Sequence, residues 1–163
     1  MSVTVRLGEP DDWDAAVEVW RLADDARRGG VPSPDPDGRR VLASLKISDV
    51  FTIVAEDGDD GLVGFVLGLQ AREDDGAGPP IPGVLHISML FVHPARWEQG
   101  IGEAVMDRLL DEAWAREYGH AQLWTQATNE RARRFYEHRG WTRSGREKPD
   151  DEGALIWHYE RAL

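Results

Sequence analysis

A chain of 163 residues, 41% of them hydrophobic, has room for one domain and a real core. Its formal net charge of -11 argues against a general grip on nucleic acid and against anionic membrane surfaces, since both need clustered Lys and Arg. It has no Cys, which excludes disulfides and thiolate catalysis.

The first six residues show no basic start followed by an apolar run. The longest apolar stretches, such as Leu62–Leu69, are too short to span a bilayer. A cytoplasmic protein is the simplest reading. The acid excess either concentrates a cationic acceptor or only keeps the protein soluble.

Val3, Val5 and Leu7 alternate with polar residues and predict a first strand. Pro10 with Asp11, Asp12 and Asp14 opens a helix that carries Trp13, Ala16, Val17 and Trp20 on one face and ends at Gly29-Gly30. Residues 31–38 hold three prolines and read as a loop. A short helix with Val41, Leu42 and Leu45 follows. Residues 51–56 and 62–71 predict a hairpin. The acidic, glycine-rich stretch 73–82 reads as a mobile loop, and 84–92 as a strand. Val105, Met106, Leu109, Leu110, Ala113 and Trp114 make an apolar stripe on a helix starting near Gly100. A strand over 121–126, a helix over 129–139, and strands over 141–146 and 154–159 complete the chain.

The order is β-α-α-β-β-β-α-β-α-β-β, without repeat or linker, over one domain, 1–163. This predicts an α/β (α+β) fold: a mixed, mostly antiparallel sheet of six to seven strands with helices on both faces. The strand–helix–strand run 84–126 predicts one parallel pair inside it.

Residues 92–102 lead from strand to helix. Pro94 ends the strand, and Gly100 and Gly102 lie at the helix start. Glycine admits a ligand to the backbone, and the first helical turn offers free N–H groups and partial positive charge, so a phosphate is well held there. No Lys-Ser/Thr follows, so this is no P-loop, and the three-glycine dinucleotide pattern is absent.

The segment resembles the coenzyme A signature of the GNAT acetyltransferase superfamily. Val92, Pro94, Gly100 and Gly102 match in register, while Trp97 stands where the family has Arg or Gln. Arg96, next door, is a candidate substitute. A second segment, Asn129-Glu-Arg-Ala-Arg-Arg-Phe-Tyr-Glu-His-Arg-Gly-Trp141, resembles the family's Asn-x-x-Ala-x-x-Phe-Tyr helix. With the element order, the resemblance covers nearly the whole chain.

The resemblance implies a GNAT-like domain that uses acetyl-CoA as co-substrate. Phe91, Val92, Trp97, Glu98, Gln99, Gly100, Ile101 and Gly102 would hold the cofactor, with Asn129, Ala132, Phe135 and Tyr136 from the second segment. Asn129 is equally a helix cap, and Phe135 a packing residue. Arg131 or Arg134 is a candidate for the adenosine phosphates. Tyr136 would be the general acid for the leaving thiolate, and main-chain N–H groups near Phe91 and Val92 would polarise the thioester carbonyl. The strand before the signature has no carboxylate where many members place a Glu base. His86 and Ser88 share one face of it, and His86 is the candidate base, against the reading of a satisfied strand histidine. His93, His120, His138 and His158 look like surface or packing residues, and no metal-ligand spacing is present. Trp20, Asp24 and Asp25, with the first two helices and the 73–82 loop, are candidates for acceptor binding. Without Cys, direct transfer is implied, to a small amine such as an amino acid, polyamine or aminoglycoside. A protein N-terminus or lysine as acceptor, a non-catalytic acyl-CoA sensor, and an interaction domain without cofactor stay open. Family members are often dimers, so a homodimer is open too.

Overall fold

The computed structural model describes residues 2–163, and the predicted order of elements is observed. They are β1 (Val3–Leu7), α1 (Trp13–Arg28), α2 (Arg39–Leu45), β2 (Phe51–Asp57), β3 (Gly61–Arg72), β4 (Pro80–Val92), α3 (Ile101–Ala115), β5 (His120–Gln126), α4 (Glu130–Glu137), β6 (Thr142–Pro149) and β7 (Leu155–Ala162). The strands form a seven-stranded mixed sheet in the order β1-β2-β3-β4-β5-β7-β6. The predicted parallel pair is β4 with β5, in register from Val84↔His120 to Ile87↔Leu123. No helix among the described residues is long and apolar enough to cross a membrane.

The chain divides into two compact units. The first contains the described residues up to Leu69 together with Met89–Glu112. Here a 3-10 turn, Pro10–Asp12, leads into α1, and Glu9 and Asp12 cap that turn, with the Glu9 N–H donating to the Asp12 carboxylate at 2.8 Å. Left-handed Gly29 ends the helix. One face of α1 and α2 buries Ala16, Val19, Trp20, Val41 and Leu45 against Val54, Phe65 and Leu67 of the hairpin. The opposite face of β3 meets α3, since a Cβ on Gly64 would lie 2.9 Å from Ile101 Cγ2. Helices therefore cover both faces, each burying its apolar stripe.

The second unit contains Gln70–Ser88 and Ala113–Leu163. In it α4 packs on β7 through Tyr136 and Tyr159, whose rings lie 6.2 Å apart, and the Tyr159 hydroxyl donates to Glu137 at 2.6 Å.

Three boundaries differ from the sequence expectation. Strand β4 begins at Pro80, not Val84, so the loop is shorter than 73–82. Pro80 and Pro82 are exposed and alternate, and the Gln70 amide donates to the Ile81 and Val84 carbonyls that hold this start in place. Strands β6 and β7 run on to Pro149 and Ala162 because Asp150 closes their turn, accepting the N–H groups of Glu152 and Ala154 at 2.9 Å each. Trp114 is not part of the buried stripe. It is 65% exposed, because it falls past the edge of the arc spanned by Val105 to Ala113.

Gly38 precedes α2 with φ +69, and a Cβ there would sit 2.5 Å from Val17 Cγ1 on α1. Gly38→Ala combines a left-handed strain with overpacking, so urea unfolding should show a loss of about 2 kcal/mol.

Candidate active site

The strand-to-helix turn after β4 lies wholly in the first unit. The His93 N–H donates to the Val63 carbonyl at 2.9 Å, which keeps β4 on the sheet until Pro94 ends it. Pro94–Arg96 makes one 3-10 turn. Glu98 and Gly100 then adopt left-handed φ values of 64° and 79°, with Gln99 between them. Left-handed residues alternating with right-handed ones are the backbone pattern from which anion-binding concavities are built. Residues 98–100 are exposed, and a Cβ on Gly100 would meet nothing within 4 Å, so the space before the turn is open. Helix α3 starts at once, with Ala104 N–H on the Gly100 carbonyl at 3.0 Å.

Two side chains hold this turn. The Trp97 indole N–H donates to the Val92 carbonyl at 2.8 Å, closing the turn on its own strand. Arg96 is buried, and its guanidinium meets Asp57 at 2.9 Å, Asp60 at 3.1 Å and Gln99 Oε1 at 3.1 Å. Arg96 is thus committed to carboxylates of the β2–β3 turn, and does not stand as a substitute phosphate ligand. The N–H of Asp59 and then Arg96 hold the Asp57 carboxyl below its ordinary range.

In the second unit, Tyr136 is buried between Phe135, Trp141 and Tyr159, with ring centroids at 5.4, 5.9 and 6.2 Å. Burial pushes its phenol up to about 12. Asn129 caps α4, accepting the Ala132 N–H at 3.1 Å. Phe135 is half-buried under Arg139, whose Cζ lies 4.0 Å from the ring centroid.

His86 is half-buried and Ser88 exposed, on the shared face that alternation predicts. His86 Nδ1 lies 3.5 Å from Gln122 Nε2, and Gln122 Oε1 lies 2.9 Å from His158 Nε2. Burial, then His158, then Lys148 push His86 down to about 4. His158, expected to be a packing or surface residue, is buried, and burial with Arg146 pushes it down too. The sequence reading passed over Gln122 and treated His158 as inert. Their alternation with Trp124 along paired strands was the available signal.

The acceptor candidates in the first unit are already engaged. Trp20 belongs to the core under β2 and β3. Asp24 is 2% exposed and bound by Arg27 at 2.6 Å and Arg28 at 2.7 Å, so it is no free anion. Asp25 is exposed and meets Arg21 at 3.3 Å. A groove of about 570 Å³ beside α1 and α2 is lined by Trp13, Asp11, Asp14, Leu42 and Lys46 among others, and by none of these three.

The model of the acetyltransferase (GNAT) family matches residues 13–141. The chain belongs to this family. Like other GNAT structures in overall fold, it aligns with the PaiA N-acetyltransferase of Thermoplasma acidophilum in complex with coenzyme A, at TM-score 0.74 and 17% identity over 100% of both chains. It aligns also with the ribosomal-protein-S18-alanine N-acetyltransferase of Escherichia coli, at TM-score 0.76 and 17% identity over 99% of this chain and 94% of that one. A mycothiol acetyltransferase of Beutenbergia cavernae is 41% identical over 56 residues, which is 34% of this chain. That match spans only 19% of the relative's length.

The Asp57–Arg96 tie carries a pH signature. A carboxylate held below its ordinary pKa stabilises the fold above the ordinary carboxylate range, and this is lost as pH falls through the folded value. The gap in melting temperature between wild type and Asp57→Asn should be widest at pH 7 and close below about pH 4.

Proposed function

We propose that the chain transfers an acetyl group from acetyl-CoA directly to the primary amine of a small molecule. The observation that supports this most is the open turn at Glu98–Gly100, a backbone cradle for pyrophosphate in a chain of net charge -11. Main-chain amides of residues 98–102 would hold the pyrophosphate, and Phe91 and Val92 would line the acyl arm and polarise its carbonyl. Trp97 would act by fixing the turn.

In the reaction, the amine nitrogen attacks the thioester carbon, the C–N bond forms and the C–S bond breaks with its electron pair on sulfur. Tyr136 serves the sulfur. At a pKa of about 12 its phenol keeps its proton across the working pH range, so it donates to the developing thiolate. The nitrogen loses one proton to water as the amide forms, and the tyrosinate recovers its proton from water, so the products are the amide and the free thiol. A second reading, a non-catalytic acyl-CoA sensor, is favoured by one observation: β4 has no carboxylate, and His86 is a weak base.

Calorimetry with acetyl-CoA and thiol release with a panel of small amines, a free peptide N-terminus and a peptide lysine test these readings. Binding with sustained thiol release for a small amine supports the proposal. Binding without release for any amine selects the sensor, and no binding overturns both. Tyr136→Phe should lower kcat about 100-fold or more with acetyl-CoA affinity nearly unchanged. Gly100→Trp should abolish acetyl-CoA binding, because a side chain would fill the cradle.

A further inference from the structure

Four strands of the second unit carry one directional chain of hydrogen bonds. It starts at the Arg146 backbone N–H, which donates to Ser144 Oγ at 3.2 Å. That oxygen lies 2.7 Å from His158 Nδ1. With one lone pair on the backbone amide, the Ser144 hydroxyl keeps a proton and a second lone pair, so the direction of the chain is set by Gln122 Oε1, which only accepts. A neutral imidazole has one donor and one acceptor nitrogen. His158 then donates from Nε2 to Gln122 Oε1 at 2.9 Å. This fixes the Gln122 amide, whose NH₂ faces His86 Nδ1 at 3.5 Å, the longest link. His86 Nδ1 is therefore the acceptor, and its proton sits on Nε2.

We propose that this Ser144–His158–Gln122 chain holds His86 as the neutral Nε2–H tautomer, so that His86 seats a hydrogen-bond-accepting oxygen of the acceptor molecule instead of removing a proton from its amine. Gln122, His158 and Ser144 are positioning residues in this account. The role of His86 rests on the acetyl-transfer reading, whereas its tautomer does not.

The chemistry favours a donor over a base. To take up a proton, His86 must use Nδ1, which faces the Gln122 NH₂. Turning that amide over to accept instead would leave the bond at 2.9 Å intact only if His158 also moved its proton to Nδ1 and donated to Ser144 Oγ, so three groups would have to change together. The surroundings act in the same direction. Trp124 shares the face of His158 and carries Lys148 Nζ at 4.5 Å and Arg146 Cζ at 5.3 Å from its ring centroid. Asp75 meets Lys148 at 2.7 Å, and Glu160 alone opposes the shift of His158. Two neutral rings beside two cations suit an oxygen with lone pairs better than an ammonium.

Long-range ¹H–¹⁵N correlation of the histidine rings in the full chain decides the tautomer without any activity. The expected spectrum has a protonated Nε2 and an unprotonated Nδ1 on both His86 and His158 at pH 8, and that of His86 is unchanged down to pH 5.5. A protonated Nδ1 on His86, or a titration near 6.5, would overturn the proposal. Gln122→Glu should move the His86 proton to Nδ1 and bring in a titration that wild type lacks.

Kinetics test the role. His86→Phe should raise KM roughly 3- to 10-fold for an amine that bears an oxygen acceptor, such as an amino acid or aminoglycoside, with kcat and the KM of a plain alkyl diamine unchanged. A collapse of kcat for every amine, with loss of a pH inflection, would make His86 the base and sink the donor role. If no amine is acetylated at all, the acetyl-transfer reading fails and the donor role with it, while the spectrum still settles the tautomer.

Discussion

The buried guanidinium of Arg96 fixes the turn on which the rest of the first unit's site depends. It joins the strand-to-helix turn to Asp57 and Asp60 at the end of the β2–β3 hairpin, and to Gln99 inside the turn itself. Glu98 sits at a left-handed φ, which costs a residue with a Cβ about 1 kcal/mol. Such a conformation lasts only where both ends are held. Upstream, His93 is bonded to β3 and Trp97 to the Val92 carbonyl. Downstream, Ile101 is buried at the start of α3. The strained backbone is therefore set in place by contacts within the protein itself.

This arrangement separates local potential from net charge. A chain with 30 acidic and 19 basic residues repels anions at long range. At the turn, Arg96 is balanced by Asp57 and Asp60, so on the proposed reading the attraction for an anion would be left to backbone dipoles. Such dipoles act only at contact and need a matching shape, so the turn would discriminate by geometry and not by charge alone. Trp97 fits the same logic. Its indole N–H, bonded to the Val92 carbonyl, stiffens the backbone of the turn.

The elements were legible because each helix and strand carries its own period and its own stops. Ala16 and Trp20 on α1 and Leu109 on α3 face the core as their spacing requires, Gly29 ends α1, and Asn129 caps α4. The start of β4 was not legible, since two prolines there mimic a loop and the amide that holds them comes from Gln70 on another strand. In the sequence Asp24 is an acceptor-binding candidate, because its burial and its pairing with the i+3 and i+4 arginines follow from no linear pattern. The partners of Arg96 lie 36 and 39 positions away, and Gln122 and His158 are 36 apart. Contacts of that range follow from strand register, which a single sequence does not specify.

The same limit explains why the base stayed open in the sequence. A histidine alternating with Ser88 on a strand without carboxylates looks like a base, because an isolated imidazole titrates near neutrality. Burial and a fixed amide remove that property, while the ring keeps its hydrogen-bonding role. On the proposed reading, the amine must then reach the thioester already neutral, losing its proton to water and not to a side chain on β4. The protein would contribute a held cofactor, a phenol that stays protonated, and a ring that orients the acceptor. Selection among amines would follow from the oxygen that His86 can hold, because no group on that strand would pull a proton from every amine alike.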